Sequence, residues 1–305
     1  MSIGFIGLGG MGAGLVKNLA LKGQAVRCFD LASERSQPMA GFGAEPVASV
    51  RLAAEGASIL ALCVTTAEAV EAILFGDGGG KDGGVAGLLP AGAIVLDHTT
   101  VSPEHVERMN ARCAELDLRY AEAPITRTPI HAEQGRVNVL FGGTAELLDE
   151  LRPVFACYAE NVFHVGPSGH ATRLKLIHNF IAFANVAAFC EGFALAAREG
   201  LDMTKVIDII SAAGGKSGMM DLYGEKTLRR DFAPYMSLSN AEKDVKYYAQ
   251  WLEAAGLPSG MAEAVHRTYA NASDLGHGGE GCTAVIKPYE RASGVEARLP
   301  DEAGS

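Results

Sequence analysis

The opening segment GFIGLGGMGAGLVKNL sets Gly7, Gly9 and Gly12 in a G-x-G-x-x-G array, directly behind an apolar run and in front of a helix-like stretch. That spacing suits a phosphate-binding turn. Gly7 permits the tight turn, Gly9 lets the backbone approach a pyrophosphate, and Gly12 lets the helix pack closely on the strand. Together with Gly10 and Met11, the array aims the unpaired N–H groups of a helix start at an anion. Asp30, 18 residues beyond Gly12 at the end of the next apolar run, is placed to accept hydrogen bonds from ribose hydroxyls. These features together predict dinucleotide binding. A carboxylate at that place repels a 2′-phosphate, and Leu31, Ala32 and Ser33 bring no cation, so NAD is expected over NADP. Arg35 is the nearby guanidinium that could swing to a phosphate. Further on, Lys175 and Asn179 stand four residues apart in GPSGHATRLKLIHNF, on one face of a predicted helix. A lysine on a helix is ordinarily a solvated charge. Here a strongly apolar run follows it, which puts Lys175 at the entry to a buried segment near a predicted domain junction, where ligand clefts form.

The elements that must position these residues follow from periodicity. Short apolar runs at 3–6, 25–30, 58–64, 93–97, 118–122, 137–141 and 161–165 alternate with amphipathic stretches at 12–22, 67–75, 103–115 and 145–158. Strand then helix, repeated, predicts a mostly parallel sheet with helices on both faces. The stretch GDGGGKDGG at 76–84 reads as a surface loop. Beyond Gly169 the strand signal stops and long helices are expected at 170–199, 202–213, 237–255 and 258–275. The predicted architecture is therefore α/β: an N-terminal Rossmann-type doubly wound sheet over 1–165, an all-helical domain over 166–296, and a frayed polar tail over 297–305.

A length of 305 residues allows two domains, and 48 % hydrophobic against 20 % charged residues is globular composition rather than that of a disordered chain. The net charge of -10 offers no basic footprint for nucleic acid or an anionic membrane surface. The six cysteines include no CxxC pair, and His98, His105, His131, His164, His170, His266 and His277 show no ligand spacing, so neither disulfides nor a metal site is expected and a reducing cytoplasm fits best. Ile3 to Ile6 already reads as a strand, so no signal peptide is expected. The run at 180–197 is interrupted by Asn185 and Glu191 and reads as a helix buried in protein or against another subunit, in a homodimer or homotetramer, rather than a membrane span.

Five motifs, in order, resemble the β-hydroxyacid dehydrogenase family, which includes 3-hydroxyisobutyrate dehydrogenase and tartronate semialdehyde reductase. They are GFIGLGGMG, DHTTVSP at 97–103, APITRTPIHAEQG at 123–135, GPSGHATRLKLIHN at 166–179 and EKD at 242–244. The resemblance implies that Lys175 exchanges a proton with the substrate oxygen as hydride moves, work that calls for partial burial and cationic neighbours such as Lys243. It further implies that Asn179 orients the substrate, that Thr100 contacts the cofactor near its nicotinamide ribose, that Val64 and Thr65 lie along the cofactor path, and that Lys243 helps close that site. The chain departs from the family where Thr126, Arg127 and Thr128 replace the usual Ser-Gly-Gly. The arrangement resembles the Gly-Arg-Thr of sulfolactaldehyde reductases, although Ala182 and His178 stand where those carry serine and asparagine. An arginine there offers a fork to a carboxylate or sulfonate, and His178 would line the substrate pocket. The 276–287 segment is similar to the family's final segment without its usual acidic residues.

The implied activity is NAD-dependent interconversion of a small 3-hydroxy acid, or hydroxysulfonate, and its semialdehyde. A dinucleotide-binding sensor or scaffold and an imine reductase on the same plan are the alternatives; Lys175 and Asn179 together speak against the first, and Lys175, which imine reductases look to lack, against the second. A decarboxylating phosphosugar dehydrogenase would call for a cluster of basic residues that the sequence lacks.

Overall fold

The computed structural model describes residues 1–76 and 84–300, so the expected loop at 76–84 lies outside the described residues except for its two end glycines. The chain divides into two compact units, Met1–Lys175 and Leu176–Ser305.

In the first unit the strands are β1 (Ser2–Ile6), β2 (Ala25–Phe29), β3 (Glu45–Pro46), β4 (Ile59–Leu62), β5 (Ile94–Asp97), β6 (Arg119–Glu122), β7 (Ile125–Thr126), β8 (Val137–Gly142) and β9 (Ala159–Gly166). They form one sheet in the order β3-β2-β1-β4-β5-β6-β8-β7, with β9 also paired to β8. The first six are parallel; β8 runs antiparallel to β6 and β7 and parallel to β9. All seven expected strands are present. The two-residue β3 and β7 are additions, too short to leave a periodic trace. Side chains alternate between two cores: Ile3 and Phe5 of β1, Ile59 and Ala61 of β4, and Ile94 and Leu96 of β5 enter one, while Ile6, Leu60, Leu62 and Val95 enter the other. A sheet covered on both faces needs apolar residues at successive positions, which is why these strands read as unbroken apolar runs. The Gly12–Leu21 and Ala145–Tyr158 helices pack on the first core, and the Ala67–Phe75 and Pro103–Ala114 helices on the second. Three of these four helices begin at a hydroxyl cap: Thr66, Ser102 and Thr144 accept the N–H of Ala69, His105 and Leu147, satisfying a donor that the helix itself leaves open.

The second unit is helical among the described residues. The His170–Arg198 helix begins in the first unit and continues into the second, followed by Met203–Ser211, Gly218–Leu228, Leu238–Ala254, Gly260–Ala272 and the short turns Cys282–Ile286 and Lys287–Ser293. Phe183, Phe193, Tyr223, Leu238 and Tyr269 belong to its core. The Gly218–Leu228 helix was not expected: two glycines interrupt GMMDLYGEKTL, and its helical form comes with burial of Met220, Tyr223 and Leu228. The His170–Arg198 helix is long and apolar enough to cross a membrane by length and composition, and 44 % of its most apolar 18-residue window is buried within the protein.

The first compact unit extends to Lys175, and the start of the His170–Arg198 helix is bonded to β6. Within the described part of the tail, Ala297 is buried and donates to Glu290, and the Leu299 N–H donates to the Leu228 carbonyl.

Candidate active site

The glycine array follows β1, which lies between β2 and β4, where the strand order reverses. Gly7 has φ +95°, and a Cβ there would lie 2.4 Å from the Cys63 carbonyl oxygen; at Gly12 it would lie 2.0 Å from that of Gly7. Neither position admits a side chain. At Gly9, by contrast, a Cβ would meet nothing within 4 Å: the backbone there faces open space, as a cradle for a pyrophosphate requires. Asp30 does more than border this turn. Its two oxygens accept the N–H groups of Leu8 at 2.7 Å and Ala32 at 2.9 Å, tying the end of β2 to the glycine turn and leaving lone pairs for ribose hydroxyls. The Arg35 guanidinium stands 3.5 Å from Asp30 and is 56 % exposed.

The next two strand ends are held by a buried network. Tyr120 donates its hydroxyl to Asp97 at 2.6 Å, Asp97 accepts the Thr99 N–H at 2.8 Å, and Thr99 accepts the Val64 N–H at 3.2 Å. Burial pushes the Asp97 carboxyl up to about 6 against the pull of the Tyr120 and Thr99 bonds. Thr65 is exposed and Thr100 half-buried. Burial likewise raises the neighbouring Cys63 thiol to about 12, so it carries no thiolate chemistry near neutrality.

Lys175 is buried, with 6 % of its surface exposed, and donates from Nζ to the Ile125 carbonyl at 2.7 Å. Ile125 opens the segment containing Thr126, Arg127 and Thr128. Arg127 follows Ile125 and Thr126 at φ +81°. Its guanidinium is paired with Glu160 of β9 and donates to the Arg136 carbonyl at 2.8 Å, while Arg136 holds the other Glu160 oxygen at 2.9 Å. An acidic neighbour is thus brought alongside Arg127 by the β8–β9 pairing. Thr128 is hydrogen-bonded to His131 at 2.8 Å.

In the first unit, then, Gly7, Gly9, Gly10, Met11, Gly12, Asp30, Val64, Thr65, Thr100 and Thr126 to Thr128 follow the C-terminal ends of strands running in one direction, the edge at which open α/β sheets bind ligands. The second unit carries Asn179, His178 and Lys243. Asn179 is buried and donates Nδ2 to Asp244 at 2.6 Å, which leaves its Oδ1 to accept from His178 Nδ1 at 2.9 Å. Lys243 lies 3.1 Å from the other Asp244 oxygen. Asp244 is the residue that sequence reasoning overlooked. The signal was its place beside Lys243 in EKD, since a buried carboxylate is retained where it has donors to hold. Among the described residues no group of three histidine, cysteine or acidic side chains could hold a metal ion.

Comparison with known proteins agrees with this geometry along the whole chain. Residues 2–166 match the family described as the NAD binding domain of 6-phosphogluconate dehydrogenase, and residues 169–289 that described as NAD-binding of NADP-dependent 3-hydroxyisobutyrate dehydrogenase. The L-threonate dehydrogenase of Cupriavidus necator is 31 % identical over 99 % of both chains. The 3-sulfolactaldehyde reductase of Escherichia coli is 26 % identical over 98 % of this chain and 99 % of the relative. A crystal structure of a 3-hydroxyisobutyrate dehydrogenase from Salmonella typhimurium superposes with a TM-score of 0.86 at 28 % identity, covering 94 % of this chain and 99 % of the other. A glycine turn with open backbone, a helical second unit and end-to-end similarity to a hydroxy-acid dehydrogenase and a sulfolactaldehyde reductase lead to one conclusion: the chain belongs to the β-hydroxyacid dehydrogenase family and is an oxidoreductase that uses a nicotinamide dinucleotide.

Proposed function

We propose that the enzyme interconverts a small anionic hydroxy acid and its carbonyl counterpart with NAD, using Lys175 as general acid/base. The observation that carries this reading is the burial of Lys175 with Nζ seated on the Ile125 carbonyl, at the strand edge that bears the dinucleotide residues. The bound nicotinamide would supply or take the hydride. Lys175 gives a proton to the substrate oxygen in reduction and takes it in oxidation, while Asn179, its amide held by Asp244, orients the substrate. Thr126, Thr128 and His178 contact the substrate. The glycine array with Gly10 and Met11, together with Asp30, Val64, Thr65, Thr100 and Lys243, holds the cofactor. Asp30 supports NAD over NADP because a 2′-phosphate would be brought beside its carboxylate.

The substrate class is a 3-hydroxy acid with a terminal hydroxymethyl group, or a hydroxysulfonate. The relative named for L-threonate puts that compound at the head of the panel as a second reading. Exposed Ile181, Leu195 and Ile209 support a homodimer or homotetramer, and six free cysteines support a cytoplasmic setting. The test is a spectrophotometric screen of NADH and NADPH formation with L-threonate, 3-hydroxyisobutyrate, 2-(hydroxymethyl)glutarate and small hydroxysulfonates. Turnover of at least one with kcat/KM higher for NAD is the expected result. No turnover of any in either direction, despite tight dinucleotide binding, would favour the sensor reading.

A further inference from the structure

Glu122 is the last residue of β6, and its carboxylate is only 1 % exposed. It accepts three backbone N–H groups: Gly169 at 2.5 Å and Ala171 at 3.2 Å on Oε1, and Thr172 at 3.1 Å on Oε2. These donors lie at the start of the His170–Arg198 helix, where the first N–H groups have no partner within the helix and the helix end is electropositive. Elsewhere caps are local: Ser49, Thr66, Ser102, Thr144, Asp202, Ser217 and Ser237 each cap the helix that follows them. The residue before His170 is Gly169, at φ +91°, which has no side chain to offer. The cap is imported from the sheet instead. Room for it comes from Gly142, paired with Glu122 across β6 and β8, where a Cβ would fall 2.0 Å from Glu122 Oε1.

The same short segment holds the helix a second time. Three residues beyond Glu122, the Ile125 carbonyl accepts Lys175 Nζ at 2.7 Å. Thr172 and Lys175 are separated by nearly one helical turn, so they leave the helix on closely similar sides. Holding the start of the helix fixes both its rotation and its rise, and with them the place where the ammonium group arrives. We infer that Glu122 is a positioning residue for the reaction, acting through the helix start to set Lys175. This rests on the reading of Lys175 as the group that moves the proton.

The test is a double-mutant cycle of Glu122→Gln and Lys175→Ala. The glutamine keeps the size of the side chain and one acceptor oxygen but turns an NH2 toward a backbone donor. On the substrate identified by the screen, Glu122→Gln is expected to lower kcat about 10- to 100-fold, the scale of an ångström of misplacement, with the dinucleotide Kd within twofold of the parent. In the Lys175→Ala background the same substitution is expected to change kcat by less than twofold, because there is no ammonium left to misplace. A fall of similar size in both backgrounds would show general structural damage and overturn the inference, as would an unchanged kcat in Glu122→Gln alone. Near-normal turnover in Lys175→Ala would instead remove the lysine reading itself, so the two failures are distinguishable. Should Glu122→Gln not give folded protein, Glu122→Asp, which keeps the charge and shortens the reach by one methylene, goes through the same cycle with the same criteria.

Discussion

The glycine turn after β1 and the turn after β7 both hold a residue at positive φ, +95° at Gly7 and +81° at Arg127. The first meets this demand by having no side chain, and its surroundings leave no room for one. The second places an arginine in a region that costs a non-glycine residue roughly 1–2 kcal/mol, and the guanidinium is held by Glu160 and the Arg136 carbonyl. One turn is specified by absence of atoms at its own positions, the other by a partner 33 residues away. The contrast separates a turn whose shape depends on bare backbone from a turn whose shape depends on side-chain pairing.

The contrast is tested most strongly at Lys175, the proposed general acid/base. Lys175→Ala is expected to lower kcat about 10²- to 10⁴-fold while dinucleotide affinity, measured by fluorescence titration, changes little. If turnover persisted near the parent level, the proton would have to travel by another route, with His178 the first candidate. The next effect strikes the glycine turn. Gly12→Ala puts a Cβ where only 2.0 Å is available to the Gly7 carbonyl, so the turn must distort; dinucleotide Kd is expected to rise at least about 10-fold, the scale of one lost charge-assisted hydrogen bond. An unchanged Kd would mean that the turn is more plastic than its packing indicates.

Arg127 is expected to respond far less. Arg127→Ala keeps the strained φ and loses the ion pair, so Tm should drop slightly and KM should stay within twofold. Arg127→Gly loses the same pair but relieves the strain, so its Tm should match or exceed that of Arg127→Ala. A sharp rise of KM in Arg127→Ala would show that the guanidinium leaves Glu160 for the substrate, and the division drawn above would then fail.

The last effect concerns pH. Burial lowers His98 to about 4 from an ordinary 6.5, so between those values the unfolded chain binds a proton that the folded one refuses, and stability falls as pH drops from 6.5 toward 4. His105, also lowered to about 4 by burial, adds to this slope. Asp97, raised to about 6 from 3.8, retains a proton in the folded state and partly offsets it between 3.8 and 6. Thermal melts of His98→Gln across pH 4 to 6.5 should therefore show a flatter slope than the parent. An identical slope would mean that His98 takes up its proton without unfolding.

What the sequence determined by itself was local. The seven strand runs, the two-part architecture, the glycine array and Asp30 were legible because a turn without side chains, an apolar run and a cap are each written within a few consecutive residues. The roles of Glu122, Glu160 and Asp244 were not. Their partners lie 47 to 50, 33 and 65 residues away along the chain, and nothing in the neighbouring sequence states which backbone or side chain will arrive beside them. An acidic residue ending an apolar strand, as in RYAEAP, signals only that something must satisfy it. Only the tertiary structure decided that the claimant was a helix start, because burial makes an unpartnered carboxylate too costly to keep while local sequence places no limit on where the partner comes from.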